Sequence, residues 1–148
     1  MRTVSLDEGK EAGGRARVLI VDDDREMRAL LADVLGEAGY DVTEAADGAR
    51  ALIRLRSESF AAIILDKNMP GLSGLDLLPG LRTICPETPV ILITAFGDVG
   101  TYVDAMEKGA TAYIFKPFRM QELLEVLQRA VALPAPSVAP PRSSGGMA

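Results

Sequence analysis

The sequence predicts an α/β fold, a doubly wound (βα)5 domain in which five parallel strands alternate with five helices. Short apolar runs recur along the chain, and each is followed by a segment whose apolar residues keep helical spacing. Of the 148 residues, 48% are hydrophobic and 25% are charged, which suits one soluble domain with a full core. Because successive parallel strands need right-handed crossovers, we expect helices on both faces of the sheet.

The first strand is expected at residues 18–21, an apolar run that Asp22, Asp23 and Asp24 follow at its tip. A helix comes next, because apolar residues recur at spacings of three and four, and Gly39 ends it. We expect Asp24 to cap this helix rather than to bind a ligand. The apolar face of the helix consists of Met27, Leu30, Leu31, Val34, Leu35 and Ala38.

The second strand is expected at residues 40–45 and the third at 61–65, which Asp66 follows directly. Pro70 and Gly71 then break the backbone, so Asp66 lies at a strand tip. In parallel α/β sheets ligands bind at the carboxyl ends of strands, and an acid there is a candidate reactive group. A short helix between these two strands is indicated by Ala49, Leu52 and Ile53.

The third helix carries a conflict between its apolar pattern and its composition. Leu75, Leu78 and Leu81 share one helical face, but Pro79 and Gly80 fall inside the pattern. A proline removes one backbone donor and clashes with the carbonyl four residues earlier. We therefore expect this helix to be kinked, shortened or late to start.

The fourth strand is expected at residues 90–93 with Thr94 at its tip, and the fifth at 112–115 with Lys116 at its tip. A helix between them is expected from about residue 99 to residue 108. The last helix is strongly amphipathic. Its apolar face consists of Met120, Leu123, Leu124, Leu127 and Val131.

The domain is expected to span residues 17–132. Residues 1–16 lack periodicity and predict a flexible lead-in, and residues 133–148, rich in Pro, Ser and Gly, predict a disordered tail or linker. No apolar run approaches the roughly 18 residues needed to span a bilayer, and the polar start lacks a signal-peptide core. We therefore expect a cytoplasmic chain without membrane contact. The lone Cys85 agrees with a reducing compartment.

Charge and composition exclude several functions. The formal net charge of −5 argues against direct nucleic-acid binding, because phosphate contacts need a clustered basic surface. The chain contains no histidine. This excludes Ser-His-Asp and Cys-His catalysis, histidine metal sites, and a phosphohistidine carried on this chain.

Five polar side chains are expected at the carboxyl ends of the first, third, fourth and fifth strands. If those strands are neighbours in the sheet, the five side chains converge on one pocket. Carboxylates packed together repel, and each raises the proton affinity of the others unless a cation is present. The five residues are Asp22, Asp23, Asp66, Thr94 and Lys116.

The donor set of this pocket indicates a metal and a reaction. Oxygen ligands without His or free Cys select a hard ion, and few protein ligands with open water positions favour Mg²⁺ over Ca²⁺. Such an ion bridges to phosphoryl oxygens, so the pocket predicts phosphoryl transfer. In that chemistry Asp66 is the nucleophile, Lys116 and the ion neutralise charge on the transferring group, and Thr94 donates a hydrogen bond to it.

The acidic pair after the first strand is followed by three further motifs, at residues 66–71, 93–95 and 115–118. In order and spacing they resemble the receiver domains of two-component response regulators, over roughly residues 17–131. The resemblance implies a CheY-like, flavodoxin-like sheet with strand order 2-1-3-4-5. The segments most like the receivers attached to bacterial enhancer-binding ATPases, the NtrC type, are residues 94–98 and 105–110.

The resemblance also implies a role for each acid. Asp66 is implied to accept a phosphoryl group from the phosphohistidine of a histidine kinase or a histidine phosphotransfer protein. The carboxylates of Asp23 and Asp66 and the backbone carbonyl of Asn68 are implied to ligate Mg²⁺. Asp22 is implied to help through water. Self-phosphorylation and autodephosphorylation that depend on Mg²⁺ are the only reactions implied, so we expect a switch rather than an enzyme.

Further implications concern the response to phosphorylation. Thr94 and Lys116 are implied to hold the phosphoryl oxygens, and Tyr113 to be the switch aromatic that follows Thr94 inward. The Lys116–Pro117 peptide bond is implied to be cis. The surface of the fourth helix, fifth strand and fifth helix is where we expect an unknown downstream protein or a second copy of the chain to dock. No further folded domain is predicted, so we expect the output to act through a partner or through a domain missing from this chain.

Three other functions are alternatives. Haloacid-dehalogenase-like phosphatases also use an aspartyl nucleophile, but they place a second acid two positions later, where this chain has Asn68. A flavodoxin-like cofactor carrier needs a phosphate-cradling loop after the first strand, where the acids of this chain repel phosphate. An interaction module that works without phosphorylation shares the fold, although such forms are expected to lose an acid or the lysine.

Overall fold

The structure is a computed structural model, and it describes residues 14–69, 71, 73–95 and 99–132. The predicted tail at residues 133–148 lies outside the described residues, and so does most of the predicted lead-in. Pro70, which was expected to break the backbone after the third strand, lies outside them as well.

Five strands and five helices alternate along the described residues, and every strand pairing is parallel. The sheet has the order β2-β1-β3-β4-β5, which confirms the predicted doubly wound fold. The elements are β1 (Arg17–Val21), α1 (Arg25–Glu37), β2 (Asp41–Ala45), α2 (Gly48–Ser57), β3 (Ala62–Asp66), α3 (Gly74–Ile84), β4 (Val90–Ala95), α4 (Val99–Glu107), β5 (Ala112–Lys116) and α5 (Met120–Ala132).

The core has two layers, one on each face of the sheet, because successive side chains of a strand point to opposite faces. Leu19 and Leu65 belong to the layer under α2 and α3. Ile20 and Ile64 belong to the layer under α1 and α5. All five residues of β3 are buried, so Asp66 stands at the end of a strand that is covered on both sides.

The second helix is confirmed, but the residues that predicted it are not the ones it buries. Ile53 is 62% exposed, and α2 instead buries Ala51 and Leu55. Ala51 and Leu55 lie four residues apart and therefore share one helical face. Apolar residues occupy half of this short helix, so their spacing alone is compatible with more than one choice of buried face. Contact with the sheet, rather than spacing alone, decides which face is buried.

Helix α3 continues through Pro79, so the expected shortening or late start does not occur. The Ser73 hydroxyl caps its first turn by accepting a hydrogen bond from the Asp76 amide at 3.1 Å. A proline inside a helix costs about 3 kcal/mol. Each buried leucine stabilises by about 1.5–3 kcal/mol, so the inner face of α3 outweighs that cost. The leucines concerned are Leu77, Leu78 and Leu81.

Candidate functional site

The carboxyl ends of β1, β3, β4 and β5 meet at one edge of the sheet, hereafter the carboxyl edge. The sheet order makes these four strands consecutive neighbours, so the residues at their ends are brought together. Asp22, Asp66 and Thr94 are all buried there, with exposed fractions of 3%, 4% and 0%. Lys116 ends β5 at the same edge, and it pairs in register with Ala95 of β4.

Three carboxylates share the carboxyl edge. Asp22, Asp23 and Asp66 each offer one carboxylate oxygen, and these oxygens lie within 4.8 Å of one another. Asp22 and Asp66 are buried, whereas Asp23 is exposed. The structure therefore assembles the three acids that the sequence predicted, with one of them open to solvent.

Asp22 belongs to a tight turn that links β1 to α1. One of its carboxylate oxygens accepts a hydrogen bond from the Asp24 amide at 2.8 Å. Asp24 in turn caps α1, since its carboxylate accepts from the amides of Glu26 and Met27, which confirms the predicted cap. This turn, residues 22–24, is called the acid loop below.

Burial and neighbouring charge perturb Asp22. Burial is the largest cause, and it raises the pKa of Asp22 to about 6. The hydrogen bond from the Asp24 amide lowers this pKa, and the charge of Asp66 raises it. The Lys116 ammonium lowers it, and the charge of Asp23 adds a smaller rise. A buried carboxylate with a raised pKa beside other charged groups marks a candidate functional site.

Asp66 forms an ion pair with Lys116. The Lys116 ammonium lies 3.4 Å from one Asp66 carboxylate oxygen, and the same oxygen accepts a hydrogen bond from the Asn68 amide at 3.3 Å. The Lys116–Pro117 peptide bond is cis, as the resemblance implies. Lys116 is partly exposed, so its charge is available at the mouth of the site as well as to Asp66.

The Thr94 hydroxyl is buried and has no hydrogen-bond partner among the described residues. A buried hydroxyl without a partner costs about 1–3 kcal/mol, and such groups are rare in folded proteins. Thr94 lies near the carboxyl end of β4, one residue after the partner of Asp66 in register, so its hydroxyl is a candidate donor to a group bound at this edge.

Tyr113 lies on β5, on the same face of the sheet as Thr94. Register pairs Leu92 with Tyr113 and Thr94 with Phe115, and side chains two residues apart share a face. The Tyr113 ring packs edge to face against Tyr102 of α4, with centroids 5.4 Å apart. It also lies 5.1 Å from the Phe115 ring. The predicted switch aromatic therefore shares a sheet face with Thr94 and contacts α4.

The residues at the carboxyl edge fit a hard divalent cation. Their donor atoms are carboxylate oxygens, and the three acids carry more charge than the Lys116 ammonium neutralises. Two of the acids are buried, which makes their mutual repulsion costly without a cation. The orphaned Thr94 hydroxyl fits an oxygen-rich anion bound beside such an ion.

Two residues with a bearing on the site were not found from the sequence. Arg28 of α1 donates a hydrogen bond to the Asp22 backbone carbonyl, and no periodic pattern signals such a contact. Gly74 opens α3 so close to β3 that a Cβ atom there would lie 2.4 Å from the Asp66 backbone oxygen. The available signal for Gly74 was a glycine in the first turn of a helix, where glycine is otherwise unfavourable.

A membrane-spanning segment is absent from the part of the chain that the structure describes. None of its helices is both long enough and apolar enough to cross a bilayer.

Comparison with known proteins identifies relatives. The response regulator receiver domain family matches residues 18–128. The response regulator protein FleR of Pseudomonas aeruginosa is 42% identical over 114 residues, which cover 77% of this chain and 24% of FleR. The chain spans about a quarter to a half of the length of the curated relatives it matches.

Solved structures give the same result. The chemotaxis protein CheY4 of Vibrio cholerae is 34% identical, with a TM-score of 0.75 over 79% of this chain and 99% of CheY4. The receiver domain of NtrX from Brucella abortus, a regulator of the NtrC type, is also 34% identical, with a TM-score of 0.74. That match covers 77% of this chain and 97% of the NtrX domain.

Proposed function

The chain belongs to the response regulator receiver domain family of two-component signalling, and from that premise we propose that Asp66 is its phosphoryl acceptor. The donor is the phosphohistidine of a histidine kinase or a histidine phosphotransfer protein. The observation that carries the proposal is the position of Asp66: it is a buried acid of a three-acid cluster, and the Lys116 ammonium contacts it directly.

The transfer is a substitution at phosphorus. A carboxylate oxygen of Asp66 attacks the phosphorus atom, so that a P–O bond forms while the P–N bond to the donor imidazole breaks. The electron pair of the broken bond leaves with the imidazole nitrogen. Lys116 neutralises charge on the phosphoryl oxygens, and the unpartnered Thr94 hydroxyl donates a hydrogen bond to one of them.

We propose that Asp23, Asp66 and the backbone carbonyl of Asn68 hold Mg²⁺, with Asp22 assisting through water. The support is the closeness of the acid oxygens, within 4.8 Å of one another, together with their all-oxygen chemistry. When bound, the ion supplies positive charge that screens the acids and the phosphoryl oxygens. Small acyl phosphates are expected to replace the kinase as donors, and the phosphoryl group is expected to be lost by hydrolysis at the same site.

The output rests on Thr94 and Tyr113. A phosphoryl group on Asp66 adds negative charge and acceptor oxygens, so the Thr94 hydroxyl gains a partner and moves toward it. Tyr113 lies on the same sheet face and is able to follow. Its ring contacts Tyr102 of α4, and Tyr102 and Val103 are 45% and 57% exposed. We propose that the surface of α4, β5 and α5 binds a downstream protein or a second copy of the chain in one state only.

Phosphorylation of the full chain by acetyl phosphate with Mg²⁺, followed by mass spectrometry, tests the acceptor. We expect a mass gain of one phosphoryl group that maps to Asp66. Asp66→Ala is expected to abolish it, while Asp33→Ala, which removes an exposed acid of α1, is expected to leave it unchanged. Undiminished labelling of Asp66→Ala would exclude the assignment, whereas no labelling of the parent chain would favour an interaction module that works without phosphorylation.

Hydrogen exchange with and without beryllofluoride tests the output surface. We expect protection to change at the pocket and also along α4 and β5. Changes confined to the pocket would show that the surface of α4, β5 and α5 does not respond to the state of Asp66.

A further inference from the structure

We propose that Arg28 is a positioning residue of the acid loop: its guanidinium holds the peptide that carries Asp23, and so sets how tightly the pocket binds a divalent cation. The inference rests on the proposed function, because it concerns the same carboxylates. It adds a residue that takes no part in ligation or phosphoryl transfer.

Arg28 is bonded to the acid loop twice. Its Nη1 donates a hydrogen bond to the backbone carbonyl of Asp22 at 2.7 Å. Its backbone amide donates to the Asp24 carbonyl at 3.0 Å, as part of the first turn of α1. The Arg28 side chain is only 15% exposed, so most of it is packed against the protein.

A third contact fixes the direction of the guanidinium. Arg28 Nε lies 3.2 Å from a carboxylate oxygen of Glu44, which precedes the last residue of β2. The next residue, Ala45, accepts a hydrogen bond from the Asp22 amide at 3.2 Å. The tip of β2 therefore holds Asp22 from both sides, directly through Ala45 and indirectly through Glu44 and Arg28.

Asp23 depends on this arrangement more than its neighbours do. Asp22 and Asp24 use their carboxylates within the loop, the first as acceptor for the Asp24 amide and the second as helix cap. The exposed Asp23 carboxylate has no hydrogen bond or ion pair among the described residues. Its direction is therefore set by its backbone. The carbonyl that Arg28 holds lies in the peptide plane between Asp22 and Asp23, so the bond restricts rotation of that plane.

A purely electrostatic role of Arg28 makes the opposite prediction. If the guanidinium acted only through its charge, its removal would leave the pocket more negative, and a cation would bind more tightly. If Arg28 positions Asp23, its removal frees the peptide, and a cation binds more weakly. Residues that orient metal ligands typically change metal affinity about 10-fold or more when removed.

Calorimetric titration of the full chain with Mg²⁺ alone, without a phosphoryl donor, separates these roles. We expect Arg28→Met to weaken Mg²⁺ binding about 10-fold. Arg28→Lys keeps the charge but loses the planar fork, so it is expected to recover only part of the affinity. Arg25→Met is the matched control, because it removes an exposed arginine from the start of the same helix. It is expected to leave Mg²⁺ affinity unchanged or slightly tighter.

A second measurement uses metal-free protein. We expect the Asp24 amide, which bonds to Asp22, to exchange its hydrogen faster in Arg28→Met than in the parent chain or in Arg25→Met. If Arg28→Met does not fold, Arg28→Lys carries the test: it keeps the positive charge, so charge alone predicts unchanged Mg²⁺ affinity, whereas loss of the fork that reaches Asp22 and Glu44 is expected to weaken Mg²⁺ binding.

Mg²⁺ affinity that is unchanged or higher in the folded Arg28→Met protein would overturn the inference, and so would unchanged affinity in Arg28→Lys. The proposed function fails differently, by undiminished phosphorylation of Asp66→Ala. Weaker Mg²⁺ binding in Arg28→Met would support the role of Arg28 whichever residue accepts the phosphoryl group.

Discussion

The two edges of the sheet handle polar groups in opposite ways. At the carboxyl edge three carboxylates lie together, and the Thr94 hydroxyl has no partner within the described part of the chain. At the opposite end, the amino edge, arginines meet matching acceptors. Arg15 donates to the backbone carbonyls of Gly36 in the last turn of α1 and of Gly39 and Tyr40 just after it, and Arg17 pairs with two acids. Arg82 of α3 donates to two carbonyls of the loop before β4.

The difference is informative because both edges belong to the same sheet. Among the described residues, Thr94 Oγ1 and Arg82 Nε are the buried side-chain atoms without a partner. Arg82 compensates with two bonds from its other nitrogens, whereas Thr94 has only its single hydroxyl. The amino edge is therefore arranged for stability, and the carboxyl edge keeps its polar groups open for a ligand, as expected where function overrides folding.

Gly74→Ala is expected to have the largest effect, because the packing of the carboxyl edge has no space for a methyl group. The new Cβ would lie 2.4 Å from the Asp66 backbone oxygen and 2.8 Å from Lys67 Cα. Backbone atoms cannot give way as a side chain can, so we expect a loss of about 3 kcal/mol in the free energy of unfolding. Chemical denaturation measures it. Gly36→Ala, in open space within α1, is the control and should be neutral or stabilising.

Arg82→Met tests the amino edge. The substitution removes two hydrogen bonds, to the backbone carbonyls of Pro86 and Thr88. Burial disfavours the charged form of this guanidinium and lowers its pKa. We expect the protein to lose about 2 kcal/mol of stability. Chemical denaturation measures this loss. The control Arg56→Met removes an exposed arginine of α2 and should lower the free energy of unfolding by less than about 0.5 kcal/mol, as is usual for a surface substitution. Equal losses in the two variants would contradict the assigned contacts.

Unlike the two substitutions above, Asp23→Asn is expected to stabilise the protein. In buffer free of divalent cations it relieves repulsion within the acid cluster, so we expect a gain on the order of 1 kcal/mol. With Mg²⁺ present the gain should shrink or reverse, since a proposed ligand is lost. Thermal melts in both buffers measure this, with Asp33→Asn as the exposed-acid control. A loss of stability in metal-free buffer would show that the cluster does not repel.

Substitution of Glu58 is expected to have the smallest effect on stability, and this effect depends on pH. Hydrogen bonds from Arg54 and then Arg17 hold the pKa of Glu58 below its usual range. Its contribution is therefore complete above the usual pKa of a glutamate and is lost as pH falls through the lowered value. Glu58→Gln should cost a few tenths of a kcal/mol at neutral pH and nothing in strong acid. Melting between pH 7 and pH 3 tests this. A constant difference at every pH would contradict the ionic origin.

Five of the site residues were predicted from the sequence for a physical reason, whereas the strand order was implied by the resemblance to receiver domains. An apolar run that stops at a polar residue marks the end of a buried strand, and parallel strands end at the same edge. Asp66, Thr94 and Lys116 were therefore expected to lie together if their strands were neighbours, and the structure makes these strands neighbours and brings the three residues to one edge.

The remaining features depend on distances between elements, which a one-dimensional pattern does not contain. Ile53 and Leu55 are equally apolar, and only packing on the sheet decides that Leu55 is buried. The contacts of Arg28 and Arg82 depend on where flexible side chains reach across loops. The close approach of Gly74 to β3 likewise follows from how the helix is docked.

The packing of Tyr113 against Tyr102 also makes the chain its own optical reporter. The sequence has no tryptophan and three tyrosines, and two of these three form the edge-to-face pair between α4 and β5. The third, Tyr40, packs in the layer on the other side of the sheet. Near-ultraviolet circular dichroism of a tyrosine depends on how its ring is held by neighbouring groups. The spectrum of the unlabelled protein is therefore weighted toward the α4–β5 contact, and a rearrangement there is visible without an attached dye.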